Sequence, residues 1–511
     1  MNHSLDRAAA GRDVRVDARR VSCERLLDVA LDGARVVVSS AAGWRHAMER
    51  SRDQLERMLD SGICVYGVST GVGNSSDRAV ERDRMNAHAR NVMQQHGCGV
   101  GEPFSVAEAR AIVFARMVSL GKGLSGVRTS LVEAMSRMLN AGIAPVIPRY
   151  GSVGASGDLT PLSYVAATVG GEREVFYRGR TVPARQALRA ARLAPFEFAP
   201  KETLAVMNGT SVMTAVGILA TARIEAIIEA AERASALAVE VLRGRSQAFD
   251  PRIHAAKPHP GQVESARRID RALAGSRLVD PPVADGRTVQ DRYSLRCSPH
   301  ALGAARDAAT WAKQVLEIEL NSANDNPLVV PDSDEPLFGG NFFGGHPALA
   351  MDLVKMAAAS IADLADRQFA LLVDRHENMG LPETLVGYGG CGVKGLQITC
   401  SAITALAVQR ASPDSVLSRS TECANQDKVS MGLNAAVNAS EAVGCLATAV
   451  ACELIGLSNA ATLRDERLIS RAGRGVLAEV RELSPVLTED RRLDLDIARV
   501  AKWIGSRPGR G

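Results

Sequence analysis

The chain has no marked excess of either charge: 61 Lys and Arg stand against 57 Asp and Glu, leaving +4 with histidine neutral, and the basic residues are scattered. No nucleic-acid footprint is therefore visible, and a polyanionic partner is not expected. None of the nine cysteines, at 23, 64, 98, 297, 391, 400, 423, 445 and 452, forms a C-x-x-C pair, and their number is odd. Both a zinc site and a disulfide framework are disfavoured, so no metal is expected and the thiols read as buried groups of a reducing compartment. No apolar run of the length needed to cross a bilayer is expected, hence no membrane partner. The N-terminal MNHSLDRAAAGRDVRV carries charge with no apolar core behind it, unlike a secretory signal. The cytoplasm is the expected compartment. Internal repeats and a long interdomain linker are also missing, and only residues 1–16 and the tail from Ser506 read as expendable.

What the chain does have is length for a sizeable core, with 511 residues of which 46% are hydrophobic. Ser211 to Gly244 is rich in Ala, Leu and Glu without proline, and predicts one helix of several turns. Similar stretches occupy 105–120, 301–320, 347–373 and 434–457. Period-two alternation is brief, near Glu174–Thr181. An all-α fold follows. Its central helices are apolar around much of their circumference, which favours burial by neighbours or by other copies.

The most specific run is Gly151-Ser-Val-Gly-Ala-Ser-Gly-Asp-Leu-Thr-Pro-Leu-Ser163. It resembles the signature of the aromatic amino acid ammonia-lyase and aminomutase family. In that family the Ala-Ser-Gly tripeptide cyclises and loses two waters to give 4-methylidene-imidazole-5-one, MIO. The resemblance implies a MIO cofactor built from Ala155, Ser156 and Gly157. The Gly157 amide nitrogen must reach the Ala155 carbonyl carbon, which a residue without Cβ permits. Ser156 supplies the exocyclic methylene by losing its hydroxyl.

Five further blocks carry the resemblance. Tyr66-Gly-Val-Ser-Thr-Gly-Val-Gly73 cannot be a regular helix and lacks the Lys-Ser/Thr of a phosphate loop. It is similar to the family's catalytic lid, implying Tyr66 as the base, with Val72 where Phe is usual. Gln290-Asp-Arg-Tyr-Ser-Leu-Arg-Cys-Ser-Pro-His300 implies Tyr293 as a second catalytic hydroxyl and Arg296 as the carboxylate holder, with Gln290 among the substrate contacts. Tyr293 and Arg296 are one helical turn apart and are expected to face one cavity. An arginine fork suits a carboxylate. His300 replaces a common Gln. Met207-Asn-Gly-Thr-Ser211 implies a carboxylate-binding Asn208. Gly340-Asn-Phe-Phe-Gly344 places Phe342 at the substrate, with Phe343 replacing a polar residue. Asn425-Gln-Asp-Lys-Val-Ser-Met-Gly432 places Asn425 and Gln426 near the prosthetic group. The implied organisation is a MIO-forming, lid-bearing region over 1–210 and a helix bundle with a C-terminal helical region over 211–511, assembled as a homotetramer with shared active sites.

The implied reaction eliminates ammonia from an aromatic amino acid to give an aryl acrylate. Covalent help from MIO addresses the poor leaving group. Tyr66 then has to work as phenolate although a tyrosine pKa is ordinarily near ~10, so its surroundings are expected to favour the charged form. The ring pocket is implied by Gln95-His96, which matches neither the Phe-Leu of phenylalanine enzymes, the His-Leu of tyrosine enzymes nor the Ser-His of histidine lyases and some tyrosine lyases and mutases. Gln426 stands where histidine lyases carry Glu, and a buried imidazolium without its carboxylate costs roughly 3–5 kcal/mol. A phenol could bond His96 or Gln95, and such a site discriminates by as much as about 10⁴–10⁵. Tyrosine is therefore the favoured substrate and phenylalanine the next. The alternatives are a 2,3-aminomutase of the same amino acids, a histidine ammonia-lyase, and a non-catalytic helical homologue. A plainer role for His96 is to cap its helix end.

Overall fold

A computed structural model describes residues 13–282, 289–387 and 389–506. Helices dominate among the described residues, and the short strands form two two-stranded sheets and one three-stranded sheet. The five stretches read as helical are helices Val106–Leu120, Ser211–Val241, Ser298–Leu320, Gly345–Val373 and Gly432–Thr462. Their starts have local causes. The Ser105 hydroxyl accepts the Glu108 N–H at 3.3 Å while the Glu108 carboxylate accepts the Ser105 N–H at 2.7 Å, a reciprocal capping box. Ser211–Val241 is capped from outside. The buried Asp158 carboxylate accepts the N–H groups of Val212 and Met213 at 3.0 and 2.9 Å, placing a negative group at the positive end of the helix.

The alternating stretch is a hairpin, Glu174–Tyr177 against Arg180–Pro183 with Val175 opposite Val182, and Ala144–Pro145 pairs on its other side. Val14–Val16 and Val36–Val38 pair in parallel, and Val100–Pro103 pairs antiparallel with Pro148–Tyr150.

The chain forms two compact units. The first holds the described residues up to Leu219 with Lys313–Met351 and Pro413–Val437. Within it, helix Cys23–Leu31 packs on Val106–Leu120, and Leu159–Val169 packs on Glu202–Met207. This second contact sets the 151–163 run beside the 207–211 segment, and Gly157 and Gly209 form an isolated parallel bridge. The second unit holds Ala220–Ala312, Asp352–Ser412 and the described residues from Asn438. There, Pro260–Leu273 packs on Pro251–Ala255 and on Arg471–Leu483, which packs on Asp494–Ile504.

Two expectations are corrected. Helices Ser211–Val241 and Gly432–Thr462 are each long and apolar enough to cross a membrane, but 78% and 72% of their most apolar windows are buried inside the protein. Thr214, Thr221 and Arg223 interrupt the first as a run while its mean hydropathy stays high. The thiols are not uniformly buried either. Cys23, Cys400 and Cys452 are buried, whereas Cys64, Cys98, Cys391 and Cys423 are exposed, because those four sit outside the helices; none forms a disulfide.

Candidate active site

The Ala-Ser-Gly run is bent back on itself. Gly154 and Gly157 hold φ of +73° and +67°, and a Cβ on Gly157 would lie 2.2 Å from the Gly209 carbonyl oxygen. Ser152 Oγ donates to the Gly157 carbonyl at 3.0 Å and accepts the Gly154 N–H at 3.0 Å, closing the loop around Ala155 and Ser156. Both of those residues line a cavity of about 240 Å³. Glycine at 157 thus satisfies a backbone sign and a steric limit together, and Ser156 reaches open space, so the tripeptide fits the cyclisation that MIO requires. Behind it, Asp158 is pushed up to about 7, chiefly by burial, with the Val212 and Met213 N–H groups pulling the other way. Gly157→Ala is expected to cost about 1–3 kcal/mol and to leave the protein without a two-water mass deficit, read by thermal unfolding and intact mass spectrometry. An unchanged melting temperature with the deficit present would refute the steric argument.

Tyr66 lies on the same cavity. Its segment is anchored from below, since Val65 and Val68 belong to a core cluster with Leu55, Met58, Met85 and Val329. The phenol oxygen accepts the Gly73 N–H at 2.7 Å. Burial raises the Tyr66 pKa, the Gly73 donor lowers it, and the Glu422 carboxylate raises it, with a net shift upward. The expectation of surroundings that favour phenolate is corrected to this extent: one backbone donor is present, but desolvation outweighs it.

Glu422 is a cavity residue that sequence reasoning missed. It begins three consecutive non-glycine residues in left-handed conformation, Glu422, Cys423 and Ala424 at φ of +54°, +54° and +66°. Each costs roughly 1–2 kcal/mol, and such strain marks functional positions more often than indifferent ones. Paired backbone bonds between Thr421 and Gln426, at 3.1 and 3.2 Å, hold the loop. The carboxylate lies against Gly73, where a Cβ would come within 2.0 Å of it. No spacing in the sequence marks Glu422; its adjacency to the 425–432 block was the available signal.

The implied ring pocket is half present. His96 and Val92 line the cavity, whereas Gln95, which ends helix Met85–Gln95, is exposed and does not. His96 Nδ1 is 2.8 Å from the Val92 carbonyl. A carbonyl only accepts, so Nδ1 carries a proton, and in that tautomer Nε2 is the acceptor. His96 thus both caps its helix and faces the cavity. Gln426 lines the cavity while its side-chain oxygen accepts from Thr421 Oγ1 at 2.6 Å, leaving its amide NH₂ as donor. Asn425, Phe342, Phe343, Asp427 and Lys428 complete that side.

Asn208 is 2% exposed and also lines the cavity. Its Nδ2 donates to the Asn326 carbonyl at 2.8 Å and to Asp325 Oδ1 at 3.2 Å. Gln290, Tyr293 and Arg296 belong to the second unit and are not among the residues lining this cavity. The expected one-turn relation holds between Tyr293 and Arg296, whose guanidinium lies 4.3 Å from the Tyr293 ring centroid, but within one chain they face each other and not that cavity. Tyr293 is 71% exposed.

A chain of long helices, with a cavity where an Ala-Ser-Gly turn meets a half-buried tyrosine, defines a class of helical lyases. The aromatic amino acid lyase family model matches residues 21–482, and the chain belongs to this family. It is 38% identical over 500 residues to a histidine ammonia-lyase of Koribacter versatilis, covering 95% of this chain and 96% of the relative. The tyrosine aminomutase of Streptomyces globisporus superposes with a TM-score of 0.91 at 35% identity over 97% of both chains. The histidine ammonia-lyase of Trypanosoma cruzi does so with a TM-score of 0.87 at 30% identity, over 96% of this chain and 93% of that one.

Proposed function

We propose that this ammonia-lyase uses MIO, formed from Ala155, Ser156 and Gly157, to eliminate ammonia from L-histidine and give urocanate. The reading is carried by the convergence of Tyr66, Ser156 and Asn208 on one cavity in a chain with near-full-length similarity to histidine ammonia-lyases. When formed, the prosthetic group supplies an electrophile for the substrate amine, making nitrogen a workable leaving group. Tyr66 takes the β-proton as phenolate. His96 Nε2 accepts from an imidazole N–H, and the Gln426 NH₂ donates to the other ring nitrogen of a neutral imidazole. Glu422 and Asp427 also line the cavity, so a protonated ring has carboxylates within the same enclosure. The preference for tyrosine rested on Gln426 leaving imidazolium unpaired, and these carboxylates remove its main ground.

Arg296 and Tyr293 enter the site from another copy in a homotetramer, the guanidinium taking the substrate carboxylate in bidentate fashion. Support comes from the exposure of Tyr293 and from helices that leave Leu349, Met356, Ile398 and Leu406 exposed. A second reading, tyrosine lyase or aminomutase, is favoured by one feature: a phenol could donate to His96 Nε2 in a chain 35% identical to a tyrosine aminomutase.

The test is to incubate the purified protein with L-histidine, L-tyrosine and L-phenylalanine separately and to quantify acrylates and β-amino acids by chromatography. Urocanate is the expected main product. Coumarate or β-tyrosine without urocanate overturns the histidine assignment and establishes the second reading.

A further inference from the structure

Helix Met85–Gln95 ends beside His96, and its last carbonyls need donors that the helix itself does not supply. The Val92 carbonyl meets His96 Nδ1 at 2.8 Å, and the Gln94 carbonyl accepts the Gly97 N–H at 3.0 Å. Met93 is served from elsewhere in the fold. Its carbonyl accepts Arg173 Nη2 at 2.9 Å, a cation at the negative end of the helix. Arg173 stands immediately before the hairpin of Glu174–Tyr177 and Arg180–Pro183 and holds φ of +61°, a conformation that a residue with a Cβ rarely adopts.

The same guanidinium makes three further contacts. Nη1 donates to Ser163 Oγ at 2.9 Å, and Cζ lies 4.2 Å from the Tyr164 ring centroid. Nη2 lies against Gly97, where a Cβ would come within 2.6 Å of it. With the arginine donating to its oxygen, the buried Ser163 hydroxyl directs its own hydrogen at carbonyls, that of Thr160 at 2.7 Å and that of His96 at 3.1 Å. The Tyr164 hydroxyl accepts the Gly99 N–H at 3.1 Å. One cluster of Arg173, Ser163 and Tyr164 thus grips residues 93, 96, 97 and 99. Two of its members stand on helix Leu159–Val169, which follows the Ala-Ser-Gly turn.

We propose that Arg173 is a positioning residue for His96, clamping the chain on both sides of it and so setting how strictly the cavity selects a ring that donates a hydrogen bond. This rests on the amino acid lyase reading and deepens it. His96 lines the cavity, and its ring is tied through Nδ1 to its own helix, so the ring moves with the helix end. What relates that helix end to the Ala-Ser-Gly turn is the cluster around Arg173. A guanidinium that served only its hairpin would bond within it, whereas both side-chain hydrogen bonds of Arg173 leave the hairpin. A hydrogen bond is sensitive to distance and angle, so loosening the clamp weakens a ring that donates to His96 and spares a ring that does not.

The experiment reads ring selection by binding and needs no turnover. 3-(Imidazol-4-yl)propionate, 3-(4-hydroxyphenyl)propionate and 3-phenylpropionate share one carboxylate arm; the first two rings can donate to His96 and the third cannot. Calorimetry on the full-length protein gives the affinity ratio of donor ring to phenyl for the wild type, Arg173→Met, His96→Ala and the double variant. Arg173→Met is expected to lower the ratio about tenfold, the order of one hydrogen bond, with phenyl binding within about twofold of wild type. In the His96→Ala background the same change should leave the ratio within about twofold, because the effect runs through His96. Hydrogen–deuterium exchange over residues 93–99 should quicken in Arg173→Met while the Tyr66 segment keeps its protection. An unchanged ratio or unchanged exchange, an equal loss for all three rings, or a fall that persists without His96 overturns the proposal. Should Arg173→Met not fold, Ser163→Ala removes the hydroxyl between the guanidinium and the His96 carbonyl and carries the same cycle. A wild type that binds none of the rings sinks the amino acid lyase reading and takes this assignment with it, a pattern distinct from binding whose ratio Arg173 does not govern.

Discussion

Ser156→Ala is expected to abolish turnover, by at least ~10³-fold as befits removal of a group used for covalent catalysis, while leaving the fold intact. The two effects separate because Ser156 is a half-buried residue on the cavity wall, and alanine occupies less space there. The turn itself is held by other groups, namely Gly154 and Gly157 at positive φ and the Ser152 hydroxyl bonded to the Gly157 carbonyl. Without a hydroxyl to lose, the exocyclic methylene cannot form. Intact mass spectrometry of the wild type should show a deficit of two waters, and the variant should not. Thermal unfolding should place the two within a few degrees. Residual turnover above a hundredth of wild type, in protein shown to have no deficit, would mean that Ser156 is not the source of the electrophile.

The 151–163 run was legible in the sequence because the chemistry is contiguous: three adjacent residues form the reactive unit, and their types are dictated one by one. The long helices were legible too, since composition alone carries 31-residue elements such as Ser211–Val241. Glu422 was not, because it reaches the cavity through three left-handed residues, and neither periodicity nor propensity announces such a backbone. The Asn208 amide is a similar case. Its residue type was readable, but its amide bonds Asp325, 117 residues further along, a partner that no local pattern announces. Tyr293 and Arg296 show the limit of a spacing rule: one turn apart does bring the two together, yet the spacing carries no information about which cavity they serve.

Tyr66→Phe should lower kcat by about 10²–10⁴, the range for loss of a general base, while the KM stays within a few fold, since the ring that packs on the cavity wall is retained. The pH dependence follows from the environment of the phenol. The working form is phenolate, so turnover gains as pH rises toward the Tyr66 pKa. Burial and the Glu422 carboxylate set that pKa above the ordinary tyrosine value, and the rise should therefore continue well into the alkaline range. Glu422 contributes through its charge, which opposes a second negative group beside it. Glu422→Gln keeps the shape against Gly73 and removes the charge, so the phenolate becomes easier to form and the alkaline limb of kcat should move to lower pH. The Gly73 N–H acts in the opposite sense, and as a backbone group it stays in both proteins. Profiles of kcat against pH for wild type and Glu422→Gln decide the matter. Coincident profiles would remove Tyr66 as the titrating base, whereas a shifted limb that vanishes in Tyr66→Phe would tie the alkaline rise to this phenol and its carboxylate neighbour.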